Sequence, residues 1–253
     1  MEIITYALLG IFTGIVGALL GLGGGVIIVP YLVFVAQFEP KLAIGTSMLV
    51  VLMNSVSGAY GYIKSKLACT DAAIKFALAT VPGAIMGSYI ARYLQGKIFY
   101  GVFGFFFLAL AINMYIKSNG KSQDNGVDVV PENYNWKLGV LCSIFVGFIA
   151  SILGIGGGVI HVPFMIYILR FPVRVAIATS TCILAISALA GVSSHGFLGH
   201  INFVAGLAIG IGAAIGAQIG VRIAQKLKSN ILMKGTSALV ALTAIKFLMT
   251  AFG

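Results

Sequence analysis

Two glycine clusters carry the first chemical suggestion in this chain. Gly21-Leu-Gly-Gly-Gly25 and Gly154-Ile-Gly-Gly-Gly158 each stand directly before an apolar stretch of 11 residues, 26–36 and 159–169. A helix that starts after such a cluster leaves its first N–H groups without partners, and its aligned peptide dipoles make that end positive. The chemistry on offer is anion binding by backbone amides. Gly23, Gly24, Gly25, Gly156, Gly157 and Gly158 are therefore candidate substrate-binding residues, with close helix packing as the plainer alternative. GLGGGV lacks the G-x-G-x-x-G spacing and follows no strand pattern, which excludes a dinucleotide loop.

Polar side chains inside apolar segments extend the candidate set. Thr46 and Ser47, then Thr179 and Ser180 with Thr181, open the segment after each short stretch. Their hydroxyls suit an anion, or bond back to the preceding helical turn. Asn54 and Gln218 are the amides deep within apolar segments; each is a donor for a ligand or a cross-link between helices. His161 stands three residues after the second cluster, where the first half has Ile28. It is a candidate ligand contact or proton carrier, or a hydrogen-bonded packing residue. His195 and His200, near a segment end, are weaker candidates.

The acids point the same way. Glu2, Glu39, Asp71, Asp124, Asp128 and Glu132 all lie outside the apolar segments or at their edges. Cation carriers and proton pumps place a carboxylate inside the membrane, so a Na⁺, Ca²⁺ or metal site is disfavoured and an anion favoured. Cys69, Cys142 and Cys182 show no metal-ligand spacing. No metal and no cofactor is expected. G-x-S-x-G, H-E-x-x-H and paired intramembrane aspartates are missing, so the chain does not read as an enzyme.

The elements that must position these residues follow from composition. Of 253 residues, 60% are hydrophobic and 9% charged, against about 25% charged in a soluble domain. This is an all-α polytopic membrane protein. The net charge of +10 reflects the basic bias of cytoplasmic loops and does not call for nucleic acid. Apolar stretches run over 3–20, 26–36, 41–63, 72–93 and 98–116, then 138–153, 159–169, 175–197, 201–225 and 231–252. The N-terminal stretch lacks a basic leader and a cleavage site, and reads as a retained span.

The chain is duplicated. IFTGIVGALLGLGGGVIIVPYL (11–32) and IFVGFIASILGIGGGVIHVPFM (144–165) share 12 of 22 positions at an offset of 133 residues. At that offset AIGTS (43–47) faces AIATS (176–180). The reading is a repeat over 1–117, a linker loop over 118–136 and a second repeat over 137–253. Eleven residues make a helix of roughly 16 Å, half a bilayer, so each short stretch with its predecessor reads as a broken helical hairpin. Each half then holds one hairpin and three spanning helices, and the halves are inverted. On that model 12 basic residues fall on one side (Lys64, Lys66, Lys75, Lys117, Lys121, Lys137, Arg170, Arg174, Arg222, Lys226, Lys228 and Lys234). Lys41, Arg92 and Lys97 fall on the other, and Lys246 lies within the last span. The bias puts the linker loop in the cytoplasm and both termini outside. Small-residue stripes at Gly83, Gly87 and Ala91, and at Gly212, Gly216 and Gly220, suit tight helix packing or a homodimer face.

With GLGGGVIIVP and GIGGGVIHVP on paired hairpins, followed by AIGTS and AIATS, the chain resembles the sulfite exporter TauE/SafE family. The resemblance covers nearly the whole chain, both repeats and the polar central loop. It implies transport of small sulfur-containing anions such as sulfite or organosulfonates. It also implies that the repeated glycines and the hydroxyls of Thr46, Ser47, Thr179 and Ser180 are the family's motif positions. The expectation is a secondary transporter in the cytoplasmic membrane, working by alternating access on a small anionic substrate. A passive anion channel is the alternative. Lipid is the surrounding partner.

Overall fold

The computed structural model describes residues 2–91, 93, 96–118, 130–131, 134–227 and 229–252. Most of the loop expected over 118–136, with Asp124, Asp128 and Glu132, lies outside the described residues, as do Arg92 and Lys228. Ten α-helices are described and no strand: α1 Glu2–Leu20, α2 Gly25–Phe34, α3 Pro40–Lys64, α4 Thr70–Ala91, α5 Gly96–Ser118, α6 Trp136–Leu153, α7 Gly158–Tyr167, α8 Val173–Phe197, α9 Phe203–Ala224 and α10 Ser229–Phe252. By length and composition α3, α4, α6, α8 and α9 are able to cross a membrane.

The helix ends follow from local chemistry. Asn135 caps α6 by accepting from the Leu138 N–H, and Asn202 caps α9 by accepting from the Ala205 N–H. Pro40 sits in the first turn of α3, where its missing N–H costs nothing. Asp71, in the first turn of α4, pairs with Lys75 at 2.8 Å and accepts from the Tyr134 hydroxyl at 2.9 Å. Burial, and then that carboxylate, push the Tyr134 phenol above its usual range.

The duplication is visible in the backbone. Gln37 and Arg170 are both forced to positive φ (54° and 60°), as are Lys66 and Gly199 (58° and 70°). Each pair is 133 residues apart. Only glycine adopts this region at little cost, so a bulky residue held there twice at the same place marks one chain path used two times.

The two repeats are interlaced, not side by side. α1 packs chiefly against α9 and α4 against α6, while α3 lies between α8 and α9. Cβ atoms at Gly212, Gly216 and Gly220 would collide with the carbonyls of Ala7, Ile11 and Ile15 on α1. At Gly83 and Gly87 they would collide with those of Ile144 and Phe148 on α6. Both stripes are thus used within one chain to let backbones touch, which removes them as an argument for a homodimer. The opposite face of α9 exposes Val204, Leu207, Ile211, Ile215 and Ile219, a surface suited to lipid. α5 and α10 pack mainly on each other around Phe99, Phe103, Phe107 and Phe247.

Candidate functional site

Each hairpin breaks where the sequence places its glycines. Gly21, Gly23 and Gly24 have φ of 71°, 71° and 84°; Gly154, Gly156 and Gly157 have 67°, 72° and 86°. A side chain at these positions would be strained by roughly 1–2 kcal/mol per residue. α1 and α6 are long arms of 19 and 18 residues, and α2 and α7 are short arms of 10. A short arm of 10 residues is about 15 Å long. In α2 the first N–H groups bonded within the helix are those of Ile27 and Ile28, both to Gly24 O. In α7 they are those of Ile160 and His161, both to Gly157 O. The N–H groups ahead of them have no acceptor within their own helix.

The two tips touch. A Cβ on Gly25 would stand 2.8 Å from Gly154 O and from Ile155 Cα; one on Gly158 would collide with Gly21 O. Where they meet, Val51 and Leu184 (again 133 residues apart) form an apolar plug. A Cβ on Gly23 would lie 2.9 Å from Val51 and 3.2 Å from Leu184, and one on Gly156 2.6 and 2.8 Å.

The repeated hydroxyls hold this junction from the opposite half. Ser47 Oγ donates to Gly154 O at 2.8 Å and Ser180 Oγ to Gly21 O at 3.0 Å. Thr46 Oγ1 accepts from the Asn202 N–H at 2.9 Å, and Thr179 Oγ1 from the Cys69 N–H at 3.0 Å. The Ser47 and Ser180 protons are therefore committed to the scaffold. Thr181 bonds back to Ile177 O at 2.9 Å. Gln218 stands apart from the tips: its amide donates to Ser57, whose hydroxyl donates to Ala214 O, tying α9 to α3.

Two positions break the symmetry. Asn54 is 1% exposed, and neither its Nδ2 nor its Oδ1 has a hydrogen-bond partner. A Cβ on Gly17 would stand 2.5 Å from this Nδ2 and one on Gly24 3.3 Å from it, so the amide lies against the N-cap of α2. Its counterpart at the offset of 133 is Ser187, which makes long bonds of 3.4 Å to Gly156 O and Leu184 O. His161 replaces Ile28 in the second half and is also buried. Its Nε2 is 3.1 Å from Ser143 Oγ, and its Nδ1 has no partner. Ser151, His161, Ser187, Thr80 and Gly156 line one space that has no room for water in this conformation.

Sequence reasoning did not single out Ser143, Ser151 or Ser187. Ser187 was detectable by the register that pairs it with Asn54. Ser143 and Ser151 carry no such signal, since serine in a membrane helix commonly bonds back within its own helix. His195 lies near the same region, 3.2 Å from Ser151 O and 3.2 Å from His200 Nδ1.

Crossed hairpins with electropositive tips, inside a helical bundle that turns glycine inward and isoleucine outward, define a polytopic membrane protein of the duplicated type. The chain belongs to the sulfite exporter TauE/SafE family, whose profile matches residues 6–247. It is 32% identical over 228 residues to a protein of Bacillus subtilis named probable membrane transporter protein YunE, covering 83% of this chain and 84% of that one. It is 27% identical over 212 residues to probable membrane transporter protein MJ0441 of Methanocaldococcus jannaschii, covering 78% and 76%. No solved structure matches. The family places this chain among membrane transporters of the TauE/SafE type.

Proposed function

We propose that the protein is a secondary transporter that carries a small oxyanion of the sulfite or organosulfonate class across the cytoplasmic membrane. The observation that carries this reading is the unpartnered Asn54 amide, fully buried against the N-cap of α2. A buried amide with every hydrogen bond unmade costs roughly 1–3 kcal/mol, a cost that an arriving oxyanion would offset. Two helix N-termini at the tip junction supply fixed positive potential without a carboxylate or metal. The family's name supplies the sulfur chemistry.

Alternating access follows from the same parts. With the repeats inverted, rocking of one hairpin with its neighbours against the other opens the junction to each side in turn. The Val51–Leu184 plug keeps the junction closed between turns. Both termini would be outside and the central loop cytoplasmic.

The test is uptake of radiolabelled sulfite, sulfoacetate and sulfate into proteoliposomes. Saturable uptake of a sulfur anion supports a carrier. Fast, non-saturating and uncoupled flux would make the protein a channel. Absence of uptake by folded protein removes the substrate class.

A further inference from the structure

His161 sits in a setting that fixes its protonation chemistry. Ser143 donates its own proton to Gly139 O at 2.7 Å, so its oxygen is left to accept from His161 at 3.1 Å. That network assigns the proton of a neutral imidazole to Nε2 and leaves a lone pair on Nδ1. Nδ1 has no partner, and a Cβ on Gly157, the N-cap of α7, would lie 3.5 Å from it. The buried Ser151 hydroxyl, also unpartnered, lines the same space.

The groups facing this space carry no charge. α6 contributes Ser151, α8 Ser187, α4 Thr80 and α3 Met48, and Ser143 of α6 meets the other ring nitrogen. The neighbouring titratable group is His195 of α8, behind the Ser151 carbonyl. No Lys, Arg, Asp or Glu lines it. A cation formed on Nδ1 here would be buried without a counter-ion, and an anion brought here alone would be equally uncompensated. Each stabilises the other, which makes their binding mutually dependent.

We propose that His161 is a proton site coupled to the anion: Nδ1 accepts one proton as the anion binds and returns it on the side where the anion leaves. Proton and anion then move in the same direction, one N–H bond forming and the same bond breaking per cycle. This rests on the anion-transport reading. The halves divide the work, since the first half has Asn54 with Ile28 and the second Ser187 with His161.

The experiment uses the full chain in vesicles with a trapped pH-sensitive dye, and radiolabelled methanesulfonate, sulfoacetate and sulfite as probes. A sulfonate stays ionised through this range, so a proton that moves with methanesulfonate is carried by the protein. His161→Gln keeps a donor toward Ser143; His161→Ile installs the residue of the first repeat and guards against a folding failure of the other. The expected result in both variants is loss of proton uptake and of accumulation driven by a pH gradient, with the remaining anion exchange weakened because the anion has lost its counter-charge. Unchanged proton uptake in the variants overturns the inference, and so does exchange by the wild type without proton movement; both leave anion transport standing. Complete loss of exchange together with proton uptake in both variants also overturns it, leaving His161 a contact only. No exchange of any probe by the wild type overturns the transport reading and this inference with it.

Discussion

The hydroxyl of Ser47, on α3 of the first repeat, donates at 2.8 Å to the carbonyl of Gly154 at the tip of the second hairpin. The relation returns as Ser180 to Gly21 at 3.0 Å. Each repeat thus pins the hairpin of the other, and does so at the carbonyl left exposed where a glycine turns to positive φ. Interhelical bonds of this kind in membranes contribute about 0.6–1.7 kcal/mol. Ser47→Ala and Ser180→Ala are each expected to lower the melting temperature in detergent, with the double variant lower still. Fluorescence-detected size exclusion after a heating series measures it. A raised KM with no change in melting would mean that these hydroxyls serve the substrate and not the scaffold.

Gly24 and Gly157 hold φ of 84° and 86° as the N-caps of the two short helices. A β-branched residue there is strained. Gly24→Val and Gly157→Val are expected to abolish transport while membrane-inserted protein persists. Uptake normalised to inserted protein decides the matter; wild-type rates would remove the tips from the mechanism.

Asn54 separates function from stability. If its unmade hydrogen bonds are kept for a ligand, the apo protein bears their cost of roughly 1–3 kcal/mol. Asn54→Leu, close in volume, is expected to leave melting unchanged or raised while uptake falls to background. A lower melting temperature would instead make the amide structural.

Gln218 and Asn54 show how far sequence alone reaches. Both are amides deep in apolar segments, and nothing in their types distinguishes them. The structure commits Gln218 to Ser57 and leaves Asn54 unpaired, because pairing depends on which helices become neighbours. The hairpins, by contrast, were readable, since glycine spacing and an 11-residue stretch constrain the backbone locally. The roles of the small-residue stripes were only half readable. Periodicity shows that Gly212, Gly216 and Gly220 share a face, but not that the face meets α1 of the same chain.

Gln218→Leu accordingly has an expected outcome distinct from that of Asn54→Leu. Loss of its donation to Ser57 loosens α9 from α3, so melting falls by an amount set by about 0.6–1.7 kcal/mol, with KM unchanged. A KM effect without a melting effect would return Gln218 to the substrate site.

The orientation of the repeats is open to a direct chemical test, because Lys64 and Phe197 are both exposed, lie at the ends of α3 and α8, and are 133 residues apart. Inverted repeats put them on opposite sides of the membrane; parallel repeats put them on the same side. With the native cysteines replaced, Lys64→Cys is expected to react with a membrane-impermeant maleimide only after cells are opened, and Phe197→Cys in intact cells. The charges argue for this arrangement, since Lys64 and Lys66 flank the α3–α4 turn, whereas Phe197 to His200 at the corresponding turn carry no lysine or arginine. Labelling of both from one side would make the repeats parallel. The short helices would then approach the junction from the same face, and a rocking exchange of access around their tips would lose its geometric basis.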